Sequence, residues 1–237
     1  MRHRNDDLLL RIAQADAYWA AWEYVKKTNH AHWAQQTMTR YFQHPTHGRC
    51  DMYTDDEQMS IGVAEALLAG PPFTPERFAD AFVTCFVRDP RNGYASQQGT
   101  GGFQGFLEQF LPLGHPHRRI AVSHDELHGG RDFLARIRPT SDKNGACMRA
   151  VPIGVLPTVD AVLAAAATQA RVTHDTPIGI HSAQAVALLA HYALYDSDGF
   201  EGFERSCWQF VRPRHPALHG YLHPLLVRRW HGGPVHS

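Results

Sequence analysis

Several features that define other protein classes are absent from this sequence of 237 residues. No run of about eighteen apolar residues exists, so no transmembrane helix is predicted. The 23 lysines and arginines equal the 23 aspartates and glutamates, so no net charge draws the chain to nucleic acid or to an anionic membrane. The first residues lead into no apolar segment typical of a signal peptide, and we therefore expect a cytoplasmic protein.

The sequence is also poor in cysteine. Its four cysteines (Cys50, Cys85, Cys147 and Cys207) are widely spaced and form no CxxC pair, which argues against a disulfide framework and against a thiolate zinc site. The seventeen histidines are numerous by comparison, but none belongs to an HExxH motif. Most lie in predicted loops or near the C-terminus, where surface positions are the usual interpretation. A histidine-rich metal-binding protein is an alternative hypothesis.

Strand patterns are missing as well, because no segment alternates Val, Ile or Thr with polar residues. Helical spacing of apolar residues is frequent instead, and residues 28–50 are interpreted as partly helical. The pattern predicts helices over 6–25, 55–70, 75–89, 103–111, 123–138, 159–171, 177–195 and 200–210. We therefore predict an all-α fold, with residues 1–237 forming a single multi-helix domain.

Two adjacent acidic residues open the predicted helix at 55. Thr54 and Glu57 have the spacing of a capping box, which predicts that the helix begins at Asp55. Asp55 and Asp56 therefore project from a rigid element beside a hydroxyl group. On this stretch alone, the preferred interpretation is that they complement the positive end of the helix dipole. The alternative is a site for a hard cation such as Mg²⁺ or Mn²⁺.

Two further carboxylates lie on one face of the predicted first helix. Asp16 interrupts an apolar stripe that contains Leu9, Ile12 and Trp19, and Glu23 follows seven residues after Asp16 on the same face. A buried carboxylate needs a partner, a metal ion or a raised pKa. For Asp16, a structural salt bridge or helix cap and a functional role are equally supported. Glu23 lies at the helix end, where it can reach into a cleft, and is the better candidate for chemistry.

Two glycine-containing loops have the composition of anion-binding segments. Residues 91–102 carry four glycines but match no P-loop or dinucleotide fingerprint, so a flexible loop is the default interpretation. In the second loop, Asn144 and Gly145 lead into a buried helix whose first N–H groups can bind an anion, with Arg149 one turn further on. An ordinary loop with a structural arginine is the alternative.

The order of these segments resembles the ADP-ribosylglycohydrolases, the relatives of dinitrogenase reductase-activating glycohydrolase. The resemblance covers roughly residues 7–195 and is carried by Ala15-Asp16-Ala17 with Glu23, by Thr54-Asp55-Asp56-Glu57-Gln58-Met59, by Ser141-Asp142-Lys143-Asn144-Gly145-Ala146-Cys147-Met148-Arg149 and by Thr173-His174. A histidine in a turn, such as His174, is usually a capping or surface residue. Four spaced matches in the right order are nevertheless far more specific than any one of them.

The resemblance implies an all-α domain with two Mg²⁺ or Mn²⁺ ions in a cleft, which hydrolyses an ADP-ribose glycosidic bond. The partner would be an ADP-ribosylated protein or an ADP-ribose derivative, and we expect a monomer. By matching positions, Thr54, Asp55 and Asp56 would be metal ligands, and Asp55 and Asp56 would act in catalysis together with Glu23. The substrate-binding residues would be Gly93, Tyr94, Ser141, Asn144, Gly145, Met148 and His174.

Three departures from the family pattern shape these expectations. The family draws further metal ligands from a later D-x-D-T-like segment, and none follows His174; the nearest text is Asp196-Ser197-Asp198-Gly199. We therefore expect a truncated member that lacks its C-terminal helices and the segment that supplies the second metal site. Lys143 replaces a glycine, where it either adds a cation for the diphosphate or strains a position that requires a positive φ. Ala15 and Trp19 replace glycines around Asp16, where we expect them to narrow the cleft. The alternative hypothesis is a non-catalytic ADP-ribose-binding module on the same fold.

Overall fold

The computed structural model describes residues 6–37, 39–45, 52–94, 102–118 and 127–195. Within these ranges the regular elements are helices, apart from one isolated antiparallel bridge between Thr140 and His174. The prediction of an all-α fold is confirmed. The predicted helix over 200–210 and the segment Asp196–Gly199 lie outside the described residues. In the described part of the chain, no helix combines the length and the apolar character needed to cross a bilayer.

The described elements follow the predicted order. They are α1 (Leu8–Trp19), α2 (His30–Trp33), α3 (Asp55–Leu68), α4 (Pro75–Arg88), α5 (Gly102–Glu108), α6 (Gly129–Arg136), α7 (Gly145–Met148), a 3-10 helix (Val151–Val155), α8 (Val159–Arg171) and α9 (Pro177–Tyr195). The helices whose first residues the sequence predicts best, α4 and α8, each begin with a capping side chain. Thr74 accepts a hydrogen bond from the Arg77 amide, and Thr158 accepts one from the Ala161 amide. A side-chain oxygen here satisfies an N–H group that the helix leaves unpaired.

The first helix is shorter than predicted and faces a different way. It ends at Trp19 instead of continuing to residue 25, and tighter turns follow, in which the Trp22 amide donates to the Trp19 carbonyl. Tyr24 then has a positive φ of 56°, which no helix can continue through. Trp22 is only 3% exposed because it packs with Phe42, whereas Trp19 is 49% exposed. The predicted apolar stripe therefore placed the wrong tryptophan in the interior.

The main hydrophobic core lies among α3, α4, α6, α8 and α9. Phe78, Phe82 and Phe86 recur at helical spacing on α4 and are fully buried, together with Met59 of α3. Buried alanines face each other where α8 packs against α9, so these two helices approach closely, as their composition predicts. The turn that carries His174 joins these two helices and is therefore held by their packing.

Candidate active site

A cleft with a cavity volume of about 420 Å³ collects most of the side chains that the sequence pattern indicated. Its walls come from the turn after α1, the start of α3, the loop before α5, the segment around α7 and the end of α8. The predicted site residues that line it are Glu23, Asp55, Asp56, Gly93, Tyr94, Ser141, Asn144, Gly145, Met148 and His174. Thr54 does not line the cleft. The acidic start of α3 and the Asn144 loop thus share one hollow.

The cleft contains two chemically different regions. The acidic region consists of Glu23, Asp55 and Asp56, and the histidine region consists of Asn144, Gly145, Arg149, Thr173 and His174. Helix α3 contacts α7, and this contact brings the two regions together. One region thus offers carboxyl groups, and the other offers backbone N–H groups, an amide and an imidazole.

The start of α3 is capped by Asp16, a residue of α1. Its Oδ2 accepts hydrogen bonds from the Thr54 amide (2.7 Å) and the Glu57 amide (3.0 Å), while the Thr54 hydroxyl donates to its Oδ1 (2.7 Å). The predicted capping box is therefore wrong, because the Thr54 side chain makes no capping hydrogen bond. A carboxylate is a stronger acceptor than a hydroxyl and replaces it here. Of the two roles left open for Asp16, the structure shows the helix cap.

Burial and mutual repulsion raise the pKa values of the acidic region. Asp55 is 8% exposed, and burial, then the charges of Asp56 and Glu23, raise the pKa of Asp55 to about 8. Burial, followed by Asp16 and Glu23, raises the pKa of Asp56 to about 7. Carboxyl groups in such surroundings need either protons or a cation. Their chemistry fits a hard divalent ion, which prefers oxygen ligands.

The described residues supply only part of a set of ligands for a metal ion. In that part of the chain, no group of three or more His, Cys, Asp or Glu side chains is placed to hold an ion. Mg²⁺, however, commonly takes one or two protein carboxylates and completes its shell with water and substrate oxygens. Asp55 and Asp56 are compatible with that arrangement. The Thr54 hydroxyl donates its proton to Asp16, which leaves lone pairs on its oxygen for a cation.

The loop before α5 is fastened to α3 beside these carboxylates. Gly93 has a φ of 121°, and a Cβ atom at this position would overlap with Oδ1 of Asp55. The Tyr94 hydroxyl donates to Oε1 of Gln58 at 2.7 Å, and the Gln58 amide donates to the carbonyl of Asp89. Only glycine can bring the backbone so close to Asp55 with this φ. The predicted site residue Gly93 therefore sets the space around an acidic side chain.

The histidine region is an internally bonded network. Arg149 is 1% exposed, lies over the ring of Phe82 with its Cζ 4.5 Å from the centroid, and donates to Gln169 and to Thr173. The structural role considered for Arg149 is therefore observed, although the residue also lines the cleft. Burial, then the charge of Arg149, lowers the pKa of His174 to about 4, so the imidazole is neutral near neutral pH.

Hydrogen bonds to backbone carbonyl groups hold the segment before Asn144 beside the turn that carries His174. The Asp175 amide donates to the Pro139 carbonyl at 2.6 Å, and the Thr176 hydroxyl donates to the Ser141 carbonyl at 3.3 Å. A Cβ atom on Gly145 would lie 2.8 Å from Cε1 of His174 and 3.2 Å from its Nε2. The Asn-Gly sequence thus serves a close approach as well as a turn.

Sequence reasoning missed several residues that line the cleft, namely Tyr24, Phe103, Phe106, Ile137 and Arg138. Phe103 and Phe106 had a usable signal, since two aromatic residues at i and i+3 lie on one face of a predicted helix. Their rings are stacked, with centroids 6.0 Å apart. Tyr24 and Arg138 had no such signal in the sequence. Tyr24 lies in the turn after α1 and Arg138 in the segment after α6, and only the tertiary fold brings them to the cleft.

Comparison with known proteins agrees with this all-α fold. The family model described as ADP-ribosylglycohydrolase matches residues 8–217, so the chain belongs to the ADP-ribosylglycohydrolase family. The sequence resemblance is thereby confirmed. Among curated proteins, the chain is similar to ADP-ribosylhydrolase ARH3 of Xenopus tropicalis, with 29% identity over 144 residues. The matched segment covers 60% of this chain and 37% of that relative, so this chain spans well under half of the relative's length.

Proposed function

We propose that this chain hydrolyses an ADP-ribose glycosidic bond in a reaction that depends on Mg²⁺ or Mn²⁺. The observation that carries the proposal is the shared cleft, in which the acidic region adjoins the histidine region. Membership of the family supports the reaction class, and the printed name of the frog relative, ADP-ribosylhydrolase, agrees with it. The substrate would be an ADP-ribosylated protein or a small ADP-ribose derivative. We further propose that the protein acts as a monomer in the cytoplasm.

The cleft offers a partner for each part of ADP-ribose. Stacked aromatic rings such as Phe103 and Phe106 suit a purine base, because bases stack readily on aromatic faces. The diphosphate would interact with the Asn144–Gly145 backbone and with Lys143 and Arg138, two exposed cations that line the cleft. The ribose next to the scissile bond would then lie at the acidic region. In this arrangement of base, diphosphate and ribose, the predicted residues around Asn144 bind the diphosphate.

The acidic region supplies the chemistry. Asp55 and Asp56 would hold a divalent ion, which orients hydroxyl groups and polarises oxygen atoms when bound. Glu23 has a carboxylate at the cleft wall and would exchange a proton with the attacking water or the leaving group. Water adds its hydroxyl to the anomeric carbon and its proton to the departing nitrogen or oxygen. The negative charge of the region favours an oxocarbenium-like transition state.

A second candidate is an ADP-ribose-binding module without catalysis. The observation that favours it is that the described residues do not gather three metal-binding side chains. In that case, the chain binds ADP-ribose and releases nothing from a modified peptide.

The experiment measures release of ADP-ribose from arginine- and serine-linked peptides, with Mn²⁺, with Mg²⁺ or with EDTA, alongside calorimetric binding of ADP-ribose. Metal-dependent release supports hydrolysis, and binding without release supports the module. Zinc retained through purification, without ADP-ribose binding, points instead to the histidine-rich metal-binding hypothesis.

A further inference from the structure

The side chain of Thr173 connects a buried arginine to the cleft histidine. Nη2 of Arg149 lies 2.7 Å from Oγ1 of Thr173, and the same oxygen lies 2.6 Å from Nδ1 of His174. Thr173 is 5% exposed and His174 is 7% exposed, so both contacts are shielded from water. These short, buried contacts restrict which atom carries each proton.

The direction of the hydrogen bonds follows from counting protons. A guanidinium group only donates, so Thr173 Oγ1 must accept from Arg149. A hydroxyl has a single proton, and its other partner in the described structure is Nδ1 of His174. A buried hydroxyl proton without an acceptor is costly, so this proton is donated to Nδ1. Nδ1 must then be unprotonated, and a neutral imidazole carries its proton on Nε2.

We propose that Thr173 is a positioning residue that fixes His174 in the tautomer protonated at Nε2, so that the imidazole offers a hydrogen-bond donor to ligand oxygens. Gly145 packs against Cε1 and Nε2 of His174, where a Cβ atom would lie 2.8 Å and 3.2 Å from them, and both residues line the cleft. Resting on the proposed function, a donor at Nε2 suits the oxygen-rich diphosphate and riboses of ADP-ribose. The opposite tautomer would present a lone pair, which repels the diphosphate oxygens because they can only accept hydrogen bonds.

The direct test is nitrogen NMR of the full chain labelled with ¹⁵N-histidine, at neutral pH and without ligand. The His174 signal is assigned by its loss in His174→Gln. The expected spectrum has a protonated Nε2 and an unprotonated Nδ1 for His174. A protonated Nδ1 at His174 in the wild-type protein overturns the proposal, and this result depends on no variant of Thr173.

Two variants of Thr173 then test the cause. Thr173→Ser keeps the hydroxyl, and we expect the wild-type tautomer and ADP-ribose affinity within about twofold of wild type. Thr173→Val keeps the shape but loses the hydroxyl, and we expect a mixture of tautomers and about tenfold weaker binding. A folded Thr173→Val protein with one Nε2-protonated tautomer and wild-type affinity would overturn the proposal.

This test is separable from that of the proposed function. A wild-type protein that shows the Nε2-protonated tautomer and binds no ADP-ribose refutes the function and supports the assignment of the tautomer. A purely structural role for Thr173 would lower the melting temperature of Thr173→Val while leaving the His174 tautomer unchanged, and this result also overturns the proposal.

Discussion

The acidic region and the histidine region line the same cleft, but they satisfy their buried polar groups in opposite ways. In the acidic region, burial and then the repulsion between neighbouring carboxyl groups raise the pKa values of Asp55 and Asp56. In the histidine region, Arg149 and Thr173 are hydrogen-bonded, and His174 is neutral. The carboxyl groups of the acidic region thus need protons or a cation to neutralise them, whereas the polar groups of the histidine region are already hydrogen-bonded without a ligand.

The largest expected effect comes from removing charge in the acidic region. Asp55→Asn and Asp56→Asn should each lower metal-dependent ADP-ribose release by at least about a hundredfold, because each removes a carboxylate that would hold the ion. Initial rates at saturating Mn²⁺ measure this. The matched control is Asp160→Asn, in the exposed first turn of α8 and outside the cleft, which should keep wild-type rates. Wild-type activity in both cleft variants would remove the assignment.

The next-largest expected effect is a pH dependence of the free energy of unfolding, which arises from the acidic region. A carboxyl group whose pKa is raised from 3.8 to about 8, as for Asp55, binds its proton more tightly in the folded state. The free energy of unfolding of the metal-free protein should therefore fall as pH rises through this window, by up to about 1.4 kcal/mol per pH unit for each such group. Urea unfolding in EDTA at several pH values measures the slope.

Mn²⁺ should flatten this slope because the cation replaces the protons. Asp55→Asn should also reduce it, since the amide does not titrate. A metal-free stability that is constant or rises from pH 5 to pH 8 would contradict the raised pKa values.

Two glycine substitutions, compared with each other, test the close contact between Gly93 and Asp55. Gly93→Ala places a methyl group against the Asp55 carboxylate at a φ of 121°, and should cost about 2 kcal/mol and weaken Mn²⁺-dependent ADP-ribose binding about tenfold. Gly114→Ala is the control, since Gly114 has a φ of 82° with no atom within 4 Å. It should cost about 1 kcal/mol from backbone strain and leave binding unchanged. Equal binding losses in both variants would show that strain alone is responsible.

The smallest expected effect concerns Lys143, an exposed cation that lines the cleft. Lys143→Gln should weaken ADP-ribose binding by about twofold at low salt, and less at high salt, because its ammonium group is exposed and screened. Arg131→Gln removes an equal charge outside the cleft, at a side chain 89% exposed, and should have no effect. Calorimetric titrations at two ionic strengths compare them. A loss above tenfold would place Lys143 in direct contact with the phosphates.

Local signals predicted the helices well wherever the neighbours of a residue in sequence decide its structure. Thr74 and Thr158 cap their helices from the adjacent residue, so their caps are visible in the sequence. The cap of α3 is different, because Asp16 supplies it from 38 residues away from Thr54. Helical spacing likewise could not decide between Trp19 and Trp22, since the burial of Trp22 depends on Phe42, which is distant in sequence.

The candidate site was predictable to the extent that its residues lie in recognisable segments. Asp55, Asn144 and His174 belong to such segments, and the structure places all three in one cleft. Tyr24 and Arg138 belong to none. The roles of the predicted residues as metal ligands and catalysts stay predictions, because they depend on a cation and a substrate.

The sequence alone determined the helical class of this protein, the positions of its self-capped helices and the segments that carry its chemistry. These properties depend on residues within a few positions of one another, where spacing and capping residues suffice. Tertiary structure alone decided that Asp16 caps α3, that Gly93 confines Asp55 and that Thr173 links Arg149 to His174. Each of these depends on side chains or backbone meeting in space, and burial then changes their pKa values and hydrogen bonds in ways that no local pattern encodes.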